Sequence, residues 1–413
     1  MGRLKTPRAR PVSGLTGESE SGDWTLVVCR DPAEIDAARW NALLARQPSA
    51  TPFVSLEYLR ALHASASAVA ETGWAPHFLL LEDGGELVAA CPLYLKDHSY
   101  GEYVFDWAWA DAYRRHGLDY YPKLTGAIPF TPVPGPRLLA TTQEQRLLLL
   151  RGIEALARQA GISSAHLLFL DEADQAAALE AGWSMRSTVQ FHWQNRTPVP
   201  YADFAEFLAS LQREKRKKIQ QERRRVADAG VSFTAAVGRD IGADDWAFFY
   251  RCYTLTYRAH HSTPYLSREF FTRAAKTMPG NWLLFTAWRG GRRIASSLIV
   301  IDPTRKAAFG RYWGATEYVP CLHFDACYYA PLAWCIANGY ERFEGGAQGE
   351  HKMARGLLPV QTRSAHWLAH PQFARAIDDF LAREGAGITL YLNELNDRQP
   401  FKAAAAALEE PSG

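Results

Sequence analysis

Within the fourteen residues from Phe343 to Gly356 the chain sets Glu344, Gln348, Glu350, His351, Lys352 and Arg355 among four glycines. Such a set can run polar chemistry: His351 or Glu350 can take a proton, while Lys352, Arg355 and Gln348 can hold a carboxylate, a phosphate or a developing oxyanion. Glu344 is placed to orient one of them. Ahead of the run, residues 332–338 read as a helix ending at Gly339 and residues 340–343 as a short strand. The charged run therefore leaves a strand end on a glycine-rich loop, where binding and catalytic groups collect. A solvated turn is the plain alternative, but a turn does not need Gln, Glu, His, Lys and Arg within eight positions.

Two shorter stretches upstream add candidates. In Gly310-Arg311-Tyr312-Trp313-Gly314 an arginine sits between glycine and aromatics, where it can clamp a carboxylate or phosphate at two points or form a buried ion pair, for instance with Glu344. Tyr312 beside it is a candidate substrate contact. In Leu322-His323-Phe324-Asp325 the histidine can act as a base or an oriented donor, or simply be a satisfied core residue. Cys321, His323, Cys327 and His351 could in principle ligate a metal, but their spacing fits no zinc pattern, and no metal is expected. Neither a phosphate-binding glycine loop of the Walker type nor a dinucleotide fingerprint occurs.

The elements that must carry these residues are visible as a duplication. The stretch Thr51-Pro52-Phe53-Val54-Ser55-Leu56-Glu57-Tyr58 recurs as Thr263-Pro264-Tyr265-Leu266-Ser267-Arg268-Glu269-Phe270, each serine placed to cap a helix with a glutamate in its first turn. Residues 78–95 and 284–301 each read as two strands joined by a Gly-Gly turn, Gly84-Gly85 and Gly290-Gly291. Residues 103–107 then fall over 309–313 at the same offset of 206 (309 − 103) and are expected to be equivalent strands. Each copy ends as helix then strand, 152–161 with 165–170 and 328–339 with 340–343. This predicts an α/β (α+β) fold of two halves, each with a mixed, mostly antiparallel sheet flanked by helices. The first copy adds a proline-rich segment, 120–139, expected to be an irregular wall lining a groove. Only the second copy has the charged loop, so the chemistry is expected there.

A helix predicted over about 201–229 joins the halves. Phe204, Leu208, Leu211, Ile219 and Val226 form its apolar stripe, and Lys215, Arg216, Lys217 and Lys218 crowd the remaining surface with further arginines. Either that face is simply solvated or it docks phosphates, in particular an RNA backbone. The chain as a whole, at 413 residues and a formal net charge of +2, makes no general case for a polyanion partner. It has no apolar run of membrane-spanning length and no signal core, and its six cysteines form no CxxC pair, so a cytoplasmic protein is expected. Expected boundaries are a disordered tail over 1–23, a first domain over 24–195, a second over 196–400 with the active site, and a tail over 401–413.

Several of these motifs carry a family likeness. HFDACYY (323–329), FEGGAQGEHKMARG (343–356), SAHW (364–367), GRYWG (310–314), EYVFDWAWADAY (102–113), PFTPVPGPRLL (129–139) and QFHWQN (190–195) together resemble the FemAB-like group of N-acyltransferases, often labelled peptidoglycan biosynthesis or recognition proteins. The resemblance runs from about Trp24 to Glu384. It implies a tandem pair of GNAT-like folds and transfer of an acyl group from coenzyme A, or of an amino acid from an aminoacyl-tRNA, to an amine. The coenzyme A loop of ordinary GNAT enzymes is not evident in this chain. The expectation is thus an acyl or aminoacyl transferase with its site between the halves, no bound cofactor, and a donor that docks through Lys215, Arg216, Lys217 and Lys218 if it is a tRNA. The alternative is a non-catalytic module that binds an acidic glycan, a peptide or RNA.

Overall fold

A computed structural model describes residues 10–19, 22–346 and 349–402. In the first copy the strands are β1 (Arg10–Ser19), β2 (Gly22–Cys29), β3 (Ala75–Pro76), β4 (Phe78–Asp83), β5 (Glu86–Cys91), β6 (Leu93–Lys96), β7 (Lys123–Gly126), β8 (Leu139–Ala140), β9 (Ser164–Leu167) and β10 (Ser184–Gln194). Its helices are α1 (Ala37–Ala45), α2 (Leu56–Ala64), α3 (Trp107–Arg115), α4 (Gln143–Gln159) and α5 (Glu172–Glu180). The second copy has α6 (Phe204–Ser210), α7 (Arg213–Asp228), β11 (Val231–Val237), α8 (Ala243–Ala259), α9 (Arg268–Thr277), β12 (Trp282–Arg289), β13 (Arg292–Asp302) and β14 (Ala307–Ala315). It continues through α10 (Leu322–Phe324), a π-helical turn (Asp325–Tyr329), α11 (Ala330–Ala337), β15 (Arg342–Glu344), β16 (Leu358–Leu368) and α12 (Pro371–Asp397).

The duplication is real down to its irregularities. Both Gly-Gly turns have two positive φ angles (+56° and +85°; +56° and +71°), the geometry that lets a two-residue hairpin follow the sheet twist. Each hairpin carries a bulge, at Leu81/Glu82 and at Ala287/Trp288, again 206 residues apart (287 − 81). Ser55 and Ser267 cap α2 and α9 by accepting from the third backbone N–H along, each at 3.3 Å. These two helices pack on one another, with Tyr58 and Phe270 edge to face at 5.3 Å and the Ser267 hydroxyl donating to the Ser65 carbonyl. One apolar cluster runs from Trp40 and Phe53 in the first copy to Phe271 and Phe309 in the second, so the halves share a core.

Sheet order shows how the halves are joined. The larger sheet runs β11-β12-β13-β14-β15-β10-β16-β9-β7-β6-β3, and all its neighbours are antiparallel except β14 with β15 and β7 with β9. β10, from the first copy, pairs with β15 and β16 of the second; β16, from the second, pairs with β9 of the first. Each copy thus lends its last strand to the other. Their shared ladder centres near Thr188 opposite Thr362, whose hydroxyls are 2.7 Å apart.

The structure departs from the sequence reading at several points. Residues 10–19, expected in a disordered tail, form β1 on the edge of β2; an open strand edge offers backbone partners that need no apolar pattern. Residues 103–107 are not a strand. Tyr103 has φ +63° and the chain turns there into α3; the strand that occupies the place of β14 in the first copy is β7, inside the proline-rich wall. The strand expected over 86–95 breaks at Pro92, which has no N–H for a ladder, so β5 joins a smaller sheet and β6 the larger one. The helix expected over 201–229 is two helices, because Leu211 is extended and bridges Phe401. That bridge also draws residues 401 and 402, expected in a tail, onto α6.

Candidate functional site

Strands β14 and β15 pair in parallel only from Ala307↔Arg342 to Phe309↔Glu344. Beyond that they part. Gly310 to Trp313 on one side and Gly345 and Gly346 on the other line a cavity of about 440 Å³. A bulge between Leu298 and Ile299 skips Arg311 in the β13 ladder and so frees its backbone from pairing. Helix α8 closes a third side. Its close approach is permitted by Gly314, where a Cβ would lie 2.0 Å from the Cys252 carbonyl oxygen. The first copy supplies the fourth side through Tyr103 and Pro132, with Phe130 behind them stacked on Tyr265 at 4.6 Å.

The equivalent wedge of the first copy is filled. There β7 and β9 pair from Leu124↔Ala165 to Gly126↔Leu167, and the wall that follows β7 turns back so that Gly135 bridges Leu170. Ala127, Ile128 and Val133 of that wall are buried. The proline-rich segment thus closes one copy's wedge and lines the other's.

Of the residues proposed from sequence, Arg311, Tyr312 and His323 line the cavity. Arg311 donates to the Phe130 carbonyl at 2.5 Å and to the Tyr312 hydroxyl, and it lies over the Phe53 ring; the ion pair considered with Glu344 is not formed. His323 sits among Trp313, Phe324 and Tyr328, and burial, with the positive charges of Arg355 and Lys352 and the His351 ring nearby, lowers its pKa to about 4. It is neutral at ordinary pH. His323 lies just ahead of the π-helical turn, an irregularity that recurs at functional sites.

The glycine-rich loop divides. Lys352 is buried beneath Gly346, to whose carbonyl it donates at 2.8 Å, with no carboxylate partner among the described residues, and burial lowers its pKa to about 8. His351 is exposed, but its Nε2 lies 3.4 Å from the hydroxyl of Tyr328, which does line the cavity. Glu350 points away and accepts from Tyr391 of α12 at 2.6 Å. Arg355, expected as a substrate clamp, is committed: it pairs with Glu222 of α7 at 3.1 Å, donates to the His351 carbonyl and stacks on Phe324 at 3.5 Å. Glu344 is buried, and burial raises its pKa to about 7 against the pull of Arg342 and Arg311. His192 lies 3.8 Å from it but is kept neutral by burial, so the contact is not an ion pair. Gln348 lies outside the described residues.

Lys215, Arg216, Lys217 and Lys218 stand on α7, and none of them makes an ion pair among the described residues. The helix is tied to the site by its buried side. Glu222 holds Arg355 and accepts from Tyr329, and Arg223 lies 3.4 Å from Asp325. Sequence reasoning missed Tyr253 and Tyr257 of α8 and His260 just past its end, which line the cavity. Their spacing of four and three residues, one helical face, was the available signal. No group of three or more His, Cys, Asp or Glu among the described residues could hold a metal ion.

Two wedge-shaped halves with exchanged last strands, one wedge open and the other filled, define a tandem duplication of a GNAT-like α/β fold. The chain belongs to the FemAB-like family, described as peptidoglycan biosynthesis/recognition, whose profile matches residues 31–403. Among solved structures it is similar to FemX (9% identity, 84% of this chain and 99% of that one, TM-score 0.52). It is also similar to L-PGS from Bacillus licheniformis (11% identity, 84% and 97%, TM-score 0.50). A tandem GNAT protein from the clavulanic acid biosynthesis pathway aligns at 14% identity over 84% and 99% with a TM-score of 0.41. At these identities the likeness is one of fold. Comparison with curated proteins finds no match. No helix among the described residues is long and apolar enough to cross a membrane.

Proposed function

We propose that the protein is an N-acyltransferase that moves an activated acyl group onto an amine in the cavity between β14 and β15. The observation that carries this reading is the wedge itself: two parallel strands part at Phe309 and Glu344 and leave strand edges without ladder partners around a neutral histidine. Unpaired strand groups are preorganised donors for an extended acyl arm and for the oxygen that gains charge in the transition state. The amine nitrogen bonds to the acyl carbon, the bond to the donor's sulfur or oxygen breaks, and the amine gives up a proton. His323 is the first candidate to receive it, and Tyr328 with His351 offers a second route from the cavity to solvent. Glu344, Lys352 and Arg355 act by positioning the floor.

The basic face of α7 supports a polyanionic donor, acyl-CoA or an aminoacyl-tRNA, and the family description supports a peptidoglycan-type peptide amine as acceptor. Such a donor implies a cytoplasmic site of action. The test is to incubate the purified protein with labelled aminoacyl-tRNA or acyl-CoA and a pool of amines, with mass-spectrometric detection of the amide. Product that disappears in His323→Ala at unchanged melting temperature is expected. Saturable binding of donor or acceptor with no amide formed would leave a recognition module instead.

A further inference from the structure

The cavity does not end at His323. A second compartment of about 420 Å³ continues from it, sharing Thr256, His260, Trp313 and His323 as a waist. Its walls beyond the waist are of another character. Leu255 and Ala259 of α8, Ala315 of β14, and Val319, Leu322 and Phe324 at the start of α10 supply apolar surface.

The polar side chains there are already used. The Thr256 hydroxyl donates to the Trp313 carbonyl at 2.7 Å, and the Thr316 hydroxyl to the Ile294 carbonyl at 3.1 Å. Glu317 is held between Arg289 and Arg292. What remains is the two histidines and the Trp313 indole at the waist, the weakly polar Cys321 thiol and the Tyr318 hydroxyl at the exposed rim, so a ligand part lying beyond the waist meets mostly apolar wall and would have to be largely apolar itself. The opening is rimmed by Tyr318, 88% exposed.

We propose that this second compartment seats an apolar chain whose functional end lies at the His323 waist, and that the chain is the acyl group of the donor. The assignment to the acyl group rests on the transferase reading. It also has a local reason: Lys352 lies under Gly346 of the first cavity, and Arg355, though paired with Glu222, stacks at 3.5 Å on Phe324 of the compartment wall, cationic surroundings that favour a carbonyl or carboxylate over an ammonium. An apolar alkylamine acceptor would have to bring its positive end to that place.

The test needs no turnover. Binding of butanoate, hexanoate and octanoate to the full chain is measured by calorimetry beside the alkylammonium ions of the same lengths. Burial of each added methylene is worth about fourfold in affinity, so octanoate should bind on the order of a hundredfold tighter than butanoate. Octylammonium should bind at least about tenfold more weakly than octanoate. Two variants fill the compartment, Ala315→Leu within it and Ala259→Trp at its exposed end, the latter chosen because Ala259 is exposed. Either one, folded by circular dichroism, should cost octanoate about tenfold or more and butanoate little. Affinity that does not grow with chain length, or filling variants that leave octanoate binding intact, would overturn the compartment. Octylammonium binding as well as octanoate would overturn its assignment to the acyl group. If the series behaves as expected and no amide is ever formed, the compartment stands and the transferase reading falls. Amide formation indifferent to chain length and to both variants would do the opposite.

Discussion

Replacing Arg355 by alanine should damage the fold before it damages binding. Its guanidinium is 3% exposed and shares the Glu222 carboxylate with Tyr329, while its other nitrogen holds the His351 carbonyl at 2.6 Å. Removing one member of a buried pair leaves the other charged and uncompensated, which typically costs about 3–5 kcal/mol. Unfolding entropy of roughly 2 cal/mol/K per residue gives about 0.9 kcal/mol/K for 413 residues, so the melting temperature should fall by about 3–6 °C. A cycle with Glu222→Gln isolates the pair. The double variant should be less destabilised than the sum of the singles, by roughly 1–3 kcal/mol. Differential scanning calorimetry on the four proteins, with ligand binding measured on the same samples, decides the matter. An Arg355→Ala protein that melts within about 1 °C of the parent but has lost affinity for an anionic ligand would refute the structural role and restore that of a clamp.

Three further outcomes are expected. Lys352, whose pKa burial lowers from 10.5 to about 8, is deprotonated in the folded chain before the unfolded one, so its contribution to stability rises with pH through that window and is adverse below it. Lys352→Met should therefore melt higher than the parent near pH 7 and lose that part of the rise between pH 8 and 10.5, and a melting profile that keeps it would sink the assignment. Changing Lys215, Arg216, Lys217 and Lys218 to glutamine should reduce the slope of log affinity against log salt for single-stranded RNA by about 0.7 per cation that touches a phosphate, with little change in melting; an unchanged slope returns this face to plain solvent. Gly314→Ala would set a Cβ 2.0 Å from the Cys252 carbonyl oxygen, forcing α8 from β14 at a cost of about 1–3 kcal/mol; unaltered melting would show that the helix yields freely.

What could be read from the sequence was what short-range chemistry fixes. The Gly-Gly turns and the serine caps depend on residues within a few positions of each other, and both are in the fold, with the offset of 206 kept between the two hairpins. Residues 103–107 misled because their aromatic spacing mimics β14, whereas the left-handed Tyr103 and the distant Lys123 decide that segment. The site was legible in part for the same reason. Arg311 and His323 belong to short aromatic motifs that happen to face the cavity, but the role of Arg355 is set by Glu222, 133 residues away. The tyrosines of α8 share their spacing with core-facing residues, since half of such a helix does face a core, and nothing local marks them as cavity residues.

The exchange of β10 and β16 also dictates an order of events during synthesis. β9 leaves the ribosome at the edge of the first copy's own strands, and the neighbour it needs, β16, begins 191 residues later (358 − 167). At about 5–20 residues per second that is an interval of roughly 10–40 s. Throughout it the first copy has an open, hydrogen-bonding edge, with β10 still lacking both of its partners. A nascent chain in this condition can recruit the same strand from a neighbouring nascent chain on one message, and two chains so crossed would each be complete in every local contact. The topology that welds the halves into one body thus makes their pairing a race between a strand in cis and its copy in trans.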